Sequence, residues 1–310
     1  MRIIFLGTPE FALPTLARLH ADGHQIIAVY TQPDRPAGRS GHPTPPPVKR
    51  WAVAHGIPVH QPRSLRREPA QSELIALKPA ALVLVAYGLL LPQAVLDCAP
   101  LGGLNLHPSL LPRHRGPAPV VGALLAGDTE TGVSIMLMDA GMDTGPVLAQ
   151  QPALIEPADN AATLADRLAH QGANLMSSTL PRWAIHDITA QPQEHAQATY
   201  TRILTKDDSL LDWRKPAVTL AREVRAYQPW PGTATHWKGR VFKLLAADAL
   251  PDGGSAAPGT VVAYAGGAAV ATGEGLLVLR EVQVEGRKPA PIAEFLRGAR
   301  DFIGSRLGDP

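Results

Sequence analysis

The sequence predicts an α/β protein: a Rossmann-like, mostly parallel sheet in an N-terminal domain, followed by a small OB-like β-barrel domain. Three observations carry that expectation. Short apolar runs alternate with helically spaced stretches from the first residues onward, which is how βαβ units read. Apolar residues make up 45% of the 310, enough for a sizeable core. Beyond Gly232, short strand-like runs recur between Gly-rich turns, as in a small five-stranded barrel. The expected division is a catalytic α/β domain over 1–188, a linker over 189–205 and the barrel domain over 206–310.

Residues 2–7, RIIFLG, are an apolar run ending in Gly and predict a buried parallel strand. Residues 9–21 carry Phe11, Leu13, Leu16 and Leu19 at helical spacing, and 25–30 give the second strand. The first turn, Gly7-Thr8-Pro9-Glu10-Phe11-Ala12, keeps only the first glycine of a dinucleotide fingerprint. The pyrophosphate cradle is therefore missing, and neither a nicotinamide nor a flavin is expected. Residues 31–49, TQPDRPAGRSGHPTPPPVK, have no periodicity and form a long loop stiffened by prolines; such loops are functional or disordered.

A helix over 49–55, a strand over 57–60 and a helix near 70–78 follow. Residues 81–86, ALVLVA, read as a fully buried strand, with an apolar loop over 87–92 and a helix over 92–98. A strand over 104–107 comes next, then a helix over 119–126 and strands over 132–138 and 146–155 around the turn DAGMDTGPV. Residues 161–186 place Leu164, Leu168, Leu175 and Leu180 on one helical face, and periodicity is lost over 187–204. The last unit offers a helix over 216–227 and strands over 233–237, 241–246, 260–264, 268–271 and 276–284.

A net charge of +2 does not by itself announce a nucleic-acid partner. Between Arg35 and Arg67, however, there are seven Lys/Arg and no acid, either a zone able to meet phosphate or a solvated loop. The single cysteine, Cys98, excludes an internal disulfide and reads as a small core residue. No cluster suggests a metal, and none is expected. The N-terminus lacks a secretory pattern and no apolar run reaches membrane-span length, so a cytoplasmic protein with no membrane partner is expected.

The chemistry is expected in GLNLHPSLLPRHRGPAP, residues 103–119. Leu104 and Leu106 alternate with Asn105 and His107, so the amide and the imidazole share one face of a strand. Pro108 ends the strand, which puts both groups near a C-terminal strand end, where open α/β sheets bind ligands. An acid from the Gly-rich turn, which holds Asp139 and Asp143, could join them. A near-neutral His can pass a proton, an Asn N–H can hold an oxyanion, and a carboxylate can fix the tautomer of the His and support its cation. Direct acyl transfer to an amine, with no covalent intermediate, fits this set. The same residues also suit a plain turn, and spacing alone leaves both readings open.

The segments TQPDRPAGR, AYGLLLP, NLHPSLLPRHRGPAP, AGDTETGVSIMLMDAGMDTG and AYQPWPG together resemble the methionyl-tRNA formyltransferases, within the tetrahydrofolate-dependent formyltransferases. The resemblance spans nearly the whole chain. It implies Asn105, His107 and Asp143 as the catalytic trio. It implies a folate-contacting set of Ser109, Leu110, Leu111 and Pro112 with Tyr87, Gly88 and Leu89. The implied formyl donor is 10-formyltetrahydrofolate, and the acceptor is the amine of methionyl initiator tRNA, met by a monomer. The long loop would reach the tRNA through Arg35, Arg39 and Lys49, and the OB-like domain through residues such as Arg222, Arg225, Lys238, Lys243 and Arg300. Two departures stand out: Ser40-Gly41-His42-Pro43 where lysines are expected, and Pro108 where Gly is frequent. Two other readings are a formyltransferase for a sugar-nucleotide or purine-pathway amine, and an RNA-binding module whose old site is idle.

Overall fold

Apolar runs build a seven-stranded sheet in the computed structural model, which describes residues 1–36, 42–253 and 256–308. The strands are β1 (Arg2–Gly7), β2 (Gln25–Tyr30), β5 (Val59–His60), β6 (Ala81–Val85), β7 (Gly103–His107), β8 (Glu130–Leu137) and β9 (Val147–Leu154). Two-residue strands β3 (Arg35–Pro36) and β4 (Pro43–Thr44) pair only with each other, inside the loop expected over 31–49. The sheet order is β5-β2-β1-β6-β7-β8-β9. It is parallel as far as β7, and β8 and β9 add an antiparallel edge. Every residue of β6 is buried, as a central strand covered on both faces must be. The chain turns back between β1 and β6, the kind of switch point where such sheets take ligands.

The connecting helices are α1 (Leu13–Ala21), α2 (Pro47–Ala54), α3 (Ala70–Ala76), α4 (Gln93–Leu96), α5 (Pro119–Ala126) and α6 (Ala161–Ala184). Helix α2 starts two residues earlier than expected, because proline suits the first helical turn, where its missing N–H has no partner to lose. The strand expected over 57–60 shortens to two residues, and the helix over 92–98 to a single turn. The core of this sheet gathers Ile4, Leu6, Tyr30, Leu82, Leu84, Tyr87 and Val95.

The chain divides into two units. The first comprises Met1–Pro119, Glu130–Leu154 and Ala165–Thr201, and the second Val120–Thr129, Ile155–Leu164 and Arg202–Pro310. Much of the aperiodic stretch after α6 therefore packs with the first unit. Gln191 exchanges both backbone hydrogen bonds with Val147 at 2.8 Å, and Arg115 bridges to Tyr200.

The second unit holds α7 (Ala217–Ala226), then β10 (Thr233–Trp237), β11 (Arg240–Leu250), β12 (Val261–Tyr264), β13 (Gly267–Ala271) and β14 (Leu276–Val284). These strands are antiparallel in the order β10-β11-β14-β13-β12. Irregularities between Leu244 and Ala247 let the long β11 bend around its core. That core centres on Trp213, Leu220, Val224, Phe242, Leu277 and Phe302. Strand β15 (Ala290–Pro291), paired to β14, and helix α8 (Ile292–Gly298) complete it. The sequence reading passed over both, although Pro291 just ahead of an apolar stretch is a helix-start signal. Among the described residues, no helix is long and apolar enough to cross a membrane.

Candidate active site

Strand β7 carries Asn105 and His107 on one face, while Leu104 and Leu106 are buried. Its neighbours set the register: Asn105 lies opposite Leu84 and Met136, and His107 opposite Ser134. His107 is only 4% exposed. Its Nε2 donates to the carbonyl of His114 at 3.0 Å. A carbonyl only accepts, so the neutral imidazole carries its proton on Nε2 and leaves Nδ1 as the basic nitrogen. Nδ1 lies 3.7 Å from Oδ2 of Asp143, too far for a hydrogen bond but close for charge. The sequence reading gave the carboxylate the task of fixing the tautomer; in the structure the His114 carbonyl makes that bond. Burial pushes the His107 imidazole below its ordinary value, opposed by Asp143 and the His114 carbonyl, with the His114 ring adding to the lowering. Asn105 is half-buried, and among the described residues its amide makes no hydrogen bond.

The turn between β8 and β9 brings in the acid. Asp143 sits at φ 54°, a left-handed conformation rare outside glycine and tolerated best by Asp and Asn. Its Oδ2 accepts the Gly116 N–H at 2.8 Å, and its carbonyl accepts from Nε2 of Gln193 at 2.8 Å. Asp139, the other acid of the turn, is used internally, accepting from the Gly141 N–H at 2.9 Å and Oγ1 of Thr144 at 2.7 Å. Gly145 is required by space: a Cβ there would lie 1.9 Å from the Leu137 carbonyl oxygen.

The loop after His107 is tightly engaged. Ser109 is buried, and its Oγ donates to the Arg113 carbonyl at 2.6 Å. Ser134 Oγ donates to the Ser109 carbonyl at 2.6 Å and accepts the Leu111 N–H at 3.1 Å. Gln150 donates to the Leu111 carbonyl at 2.9 Å, and the Leu111–Pro112 peptide is cis. Leu110 packs against Gly132, where a Cβ would lie 2.6 Å from its Cδ2.

Tyr87 and Gly88 line a cavity of about 440 Å³ with Thr8, Gln32, Arg35 and Arg50. It opens at the ends of β1, β2 and β6, and Asn105, His107 and Asp143 are not among its lining residues. Thr8 Oγ1 and Gln32 Nε2 both donate to the Tyr87 carbonyl at 3.1 Å. The Tyr87 hydroxyl is buried without a partner among the described residues, and burial raises its pKa. Leu89 is half-buried in the same loop, packed against the sheet core.

Arg35 donates to Oε1 of Gln32 at 2.5 Å. Lys49 is paired with Asp34 at 2.8 Å, and hydrogen bonds from Gln61 and Lys49 hold that carboxyl below its ordinary range. Arg39 lies outside the described residues. Within the second unit, Arg222 lies over Gly127, Arg225 donates to the Pro157 carbonyl at 3.1 Å, and Lys238 pairs with Asp301.

Three residues that support the trio escaped the sequence reading: His114, Arg115 and Gln193. A backbone carbonyl that sets a tautomer has no residue-type signature. Gln193 lies in a polar stretch with neither periodicity nor motif, so nothing marked it.

The sequence matches the formyl transferase family over residues 1–180 and that family's C-terminal domain over residues 203–300. A methionyl-tRNA formyltransferase of Roseiflexus sp. (strain RS-1) is 49% identical, covering 100% of this chain and 96% of its own. One from Thiobacillus denitrificans is also 49% identical, over 99% of this chain and 100% of its own. Among solved structures, an N-formyltransferase from Helicobacter canadensis in complex with folinic acid and dTDP-3-aminofucose superposes with TM-score 0.67. It is 14% identical, covering 89% of this chain and 97% of its own. HypX from Aquifex aeolicus in complex with tetrahydrofolic acid gives 0.62 at 18% identity, over 100% of this chain and 49% of its own. At those identities the solved structures show the fold alone.

Proposed function

The chain belongs to the methionyl-tRNA formyltransferase family, and on that premise we propose that it moves the formyl group of 10-formyltetrahydrofolate to the α-amino group of methionine on initiator tRNA. The observation that carries the reading is the state of His107: a buried imidazole, protonated at Nε2 by its bond to a carbonyl, with its basic nitrogen facing a carboxylate. That is a general base with its counter-charge in place.

In this proposal the neutral amine attacks the formyl carbon, a new N–C bond forms, and the carbonyl π-electrons move to oxygen. The free N–H of Asn105 donates to that oxyanion. Nδ1 of His107 accepts the proton the attacking nitrogen must lose, and the imidazolium lies against Asp143. The oxyanion then re-forms the carbonyl, the bond to N10 of the folate breaks, and His107 returns the proton to N10. Atoms and charge balance, and no nucleophile on the protein is needed. Ser109 and Leu111, buried and hydrogen-bonded, hold the loop beside the trio. Tyr87 and Gly88 offer a cavity at the strand ends, within the usual range of small-molecule sites.

The test is transfer itself. Charged initiator tRNA and 10-formyltetrahydrofolate should give formylmethionyl-tRNA with the wild type. The His107→Ala variant should bind tRNA equally well and transfer at least about 10²-fold more slowly. Parental transfer by that variant refutes the assignment. Preferred transfer to an amino-sugar nucleotide refutes the acceptor.

A further inference from the structure

We propose that residues 193–201 form a strap whose buried Arg115–Gln193 pair positions the Asp143 carboxylate against His107; this deepens the reading above and rests on it. The amide of Gln193, 8% exposed, has every hydrogen-bonding site in use. Its Nε2 donates to the carbonyls of Asp143 at 2.8 Å and Gly145 at 2.7 Å. Its Oε1 accepts from Nε of Arg115 at 3.1 Å and Nη2 at 2.7 Å. Turning the amide over would set an oxygen against two carbonyls and an NH₂ against a guanidinium, so its orientation is unique.

Arg115 is itself 1% exposed. Its remaining hydrogen bonds go to the Tyr200 hydroxyl at 3.3 Å and Nδ1 of His195 at 3.0 Å, both on the strap. Among the described residues it meets no carboxylate. A buried cation held only by neutral acceptors is an expensive way to fill space, and its fork is spent on holding Gln193.

The same strap grips the backbone around Arg115. The Arg115 N–H donates to the Thr199 carbonyl at 2.9 Å, and the Thr201 N–H donates to the Arg115 carbonyl at 2.8 Å. Thr199 Oγ1 accepts the His114 N–H at 2.8 Å. The two residues flanking Arg115 both touch the trio: the His114 carbonyl accepts from His107, and the Gly116 N–H donates to Asp143. One segment thus fixes the nitrogen that works as base, one oxygen of the acid, and the left-handed backbone on which the acid sits. Arg115 and Gln193 are positioning residues, acting through Asp143.

The experiment is a double-variant cycle with a pH profile. Gln193→Leu keeps the size and removes both donors and the acceptor. It should lower kcat about 10²-fold, the cost of misplacing a reacting group by about 1 Å, with KM for both substrates unchanged. The groups facing His107 are Asp143 and His114. As the carboxylate drifts, the acid limb of kcat should move to lower pH, as it should in Asp143→Asn. In an Asp143→Asn background, Gln193→Leu should cost nothing further. Equal losses in both backgrounds, or an unmoved acid limb with a lowered Tm, overturn the proposal.

Should Gln193→Leu not fold, Arg115→Lys carries the same cycle, since it keeps the charge and loses the fork. The His107 ring titration, followed by NMR without substrate, separates this proposal from the reading it rests on. A wild type that transfers no formyl group, with a titration still lowered by Gln193→Leu, sinks the function and leaves the strap standing. A titration unchanged by Gln193→Leu sinks the strap.

Discussion

Replacing Asp143 with Asn removes one charge and little else. Asn tolerates the left-handed φ of 54° nearly as well as Asp, and its amide oxygen can still accept the Gly116 N–H. What changes is the partner of the imidazolium. Across the 3.7 Å between Nδ1 and Oδ2, two unit charges attract by about 4 kcal/mol at an effective dielectric constant of about 20. The His107 side chain is 5% exposed and that of Asp143 19%, so some of this is lost to water. The transition state, in which His107 is becoming charged, should lose about 3–4 kcal/mol, or about 10²–10³-fold in rate. Single-turnover formylation with saturating folate and limiting methionyl-tRNA reads this step without product release. The pH profile gives a second reading: Asp143 opposes the downward push of burial on His107, so its neutralisation should move the acid limb to lower pH. A loss under about threefold, or a limb that moves up, would refute the reasoning.

Other predictions follow from the same geometry. Because burial lowers His107 below its ordinary value of 6.5, the unfolded chain binds that proton first as pH falls. Stability is then full above the ordinary value and declines as pH drops towards the folded one; the pH dependence of Tm should flatten in His107→Gln. Gly145→Ala forces a methyl into the Leu137 carbonyl and should cost about 1–3 kcal/mol in chemical denaturation, with slower transfer. In tRNA binding, Arg35→Ala should lower the salt slope by about one unit. Lys49→Ala should leave that slope nearly unchanged, because its ammonium is paired with Asp34.

The parts of the fold that rest on periodicity were legible: β1, β2, β6 and α6 stand close to where apolar spacing put them. Elements defined by pairing or by one proline were not, as the two-residue β15 and the helix α8 after Pro291 show. At the site, Asn105 and His107 could be placed on one face because strand alternation is a local rule. Asp143 could be named only by resemblance, since closing a turn onto a strand is a long-range event. Arg115 and Gln193 were invisible for the same reason: their roles exist only once residues 193–201 lie against the loop after β7.

The central claim is that His107 keeps its proton on Nε2 and works from Nδ1. Nitrogen NMR of the ring, with the protein held above the His107 titration, reads this directly. The account predicts a protonated, pyrrole-type Nε2 and a bare, pyridine-type Nδ1. A ring protonated at Nδ1, with Nε2 bare, would contradict it.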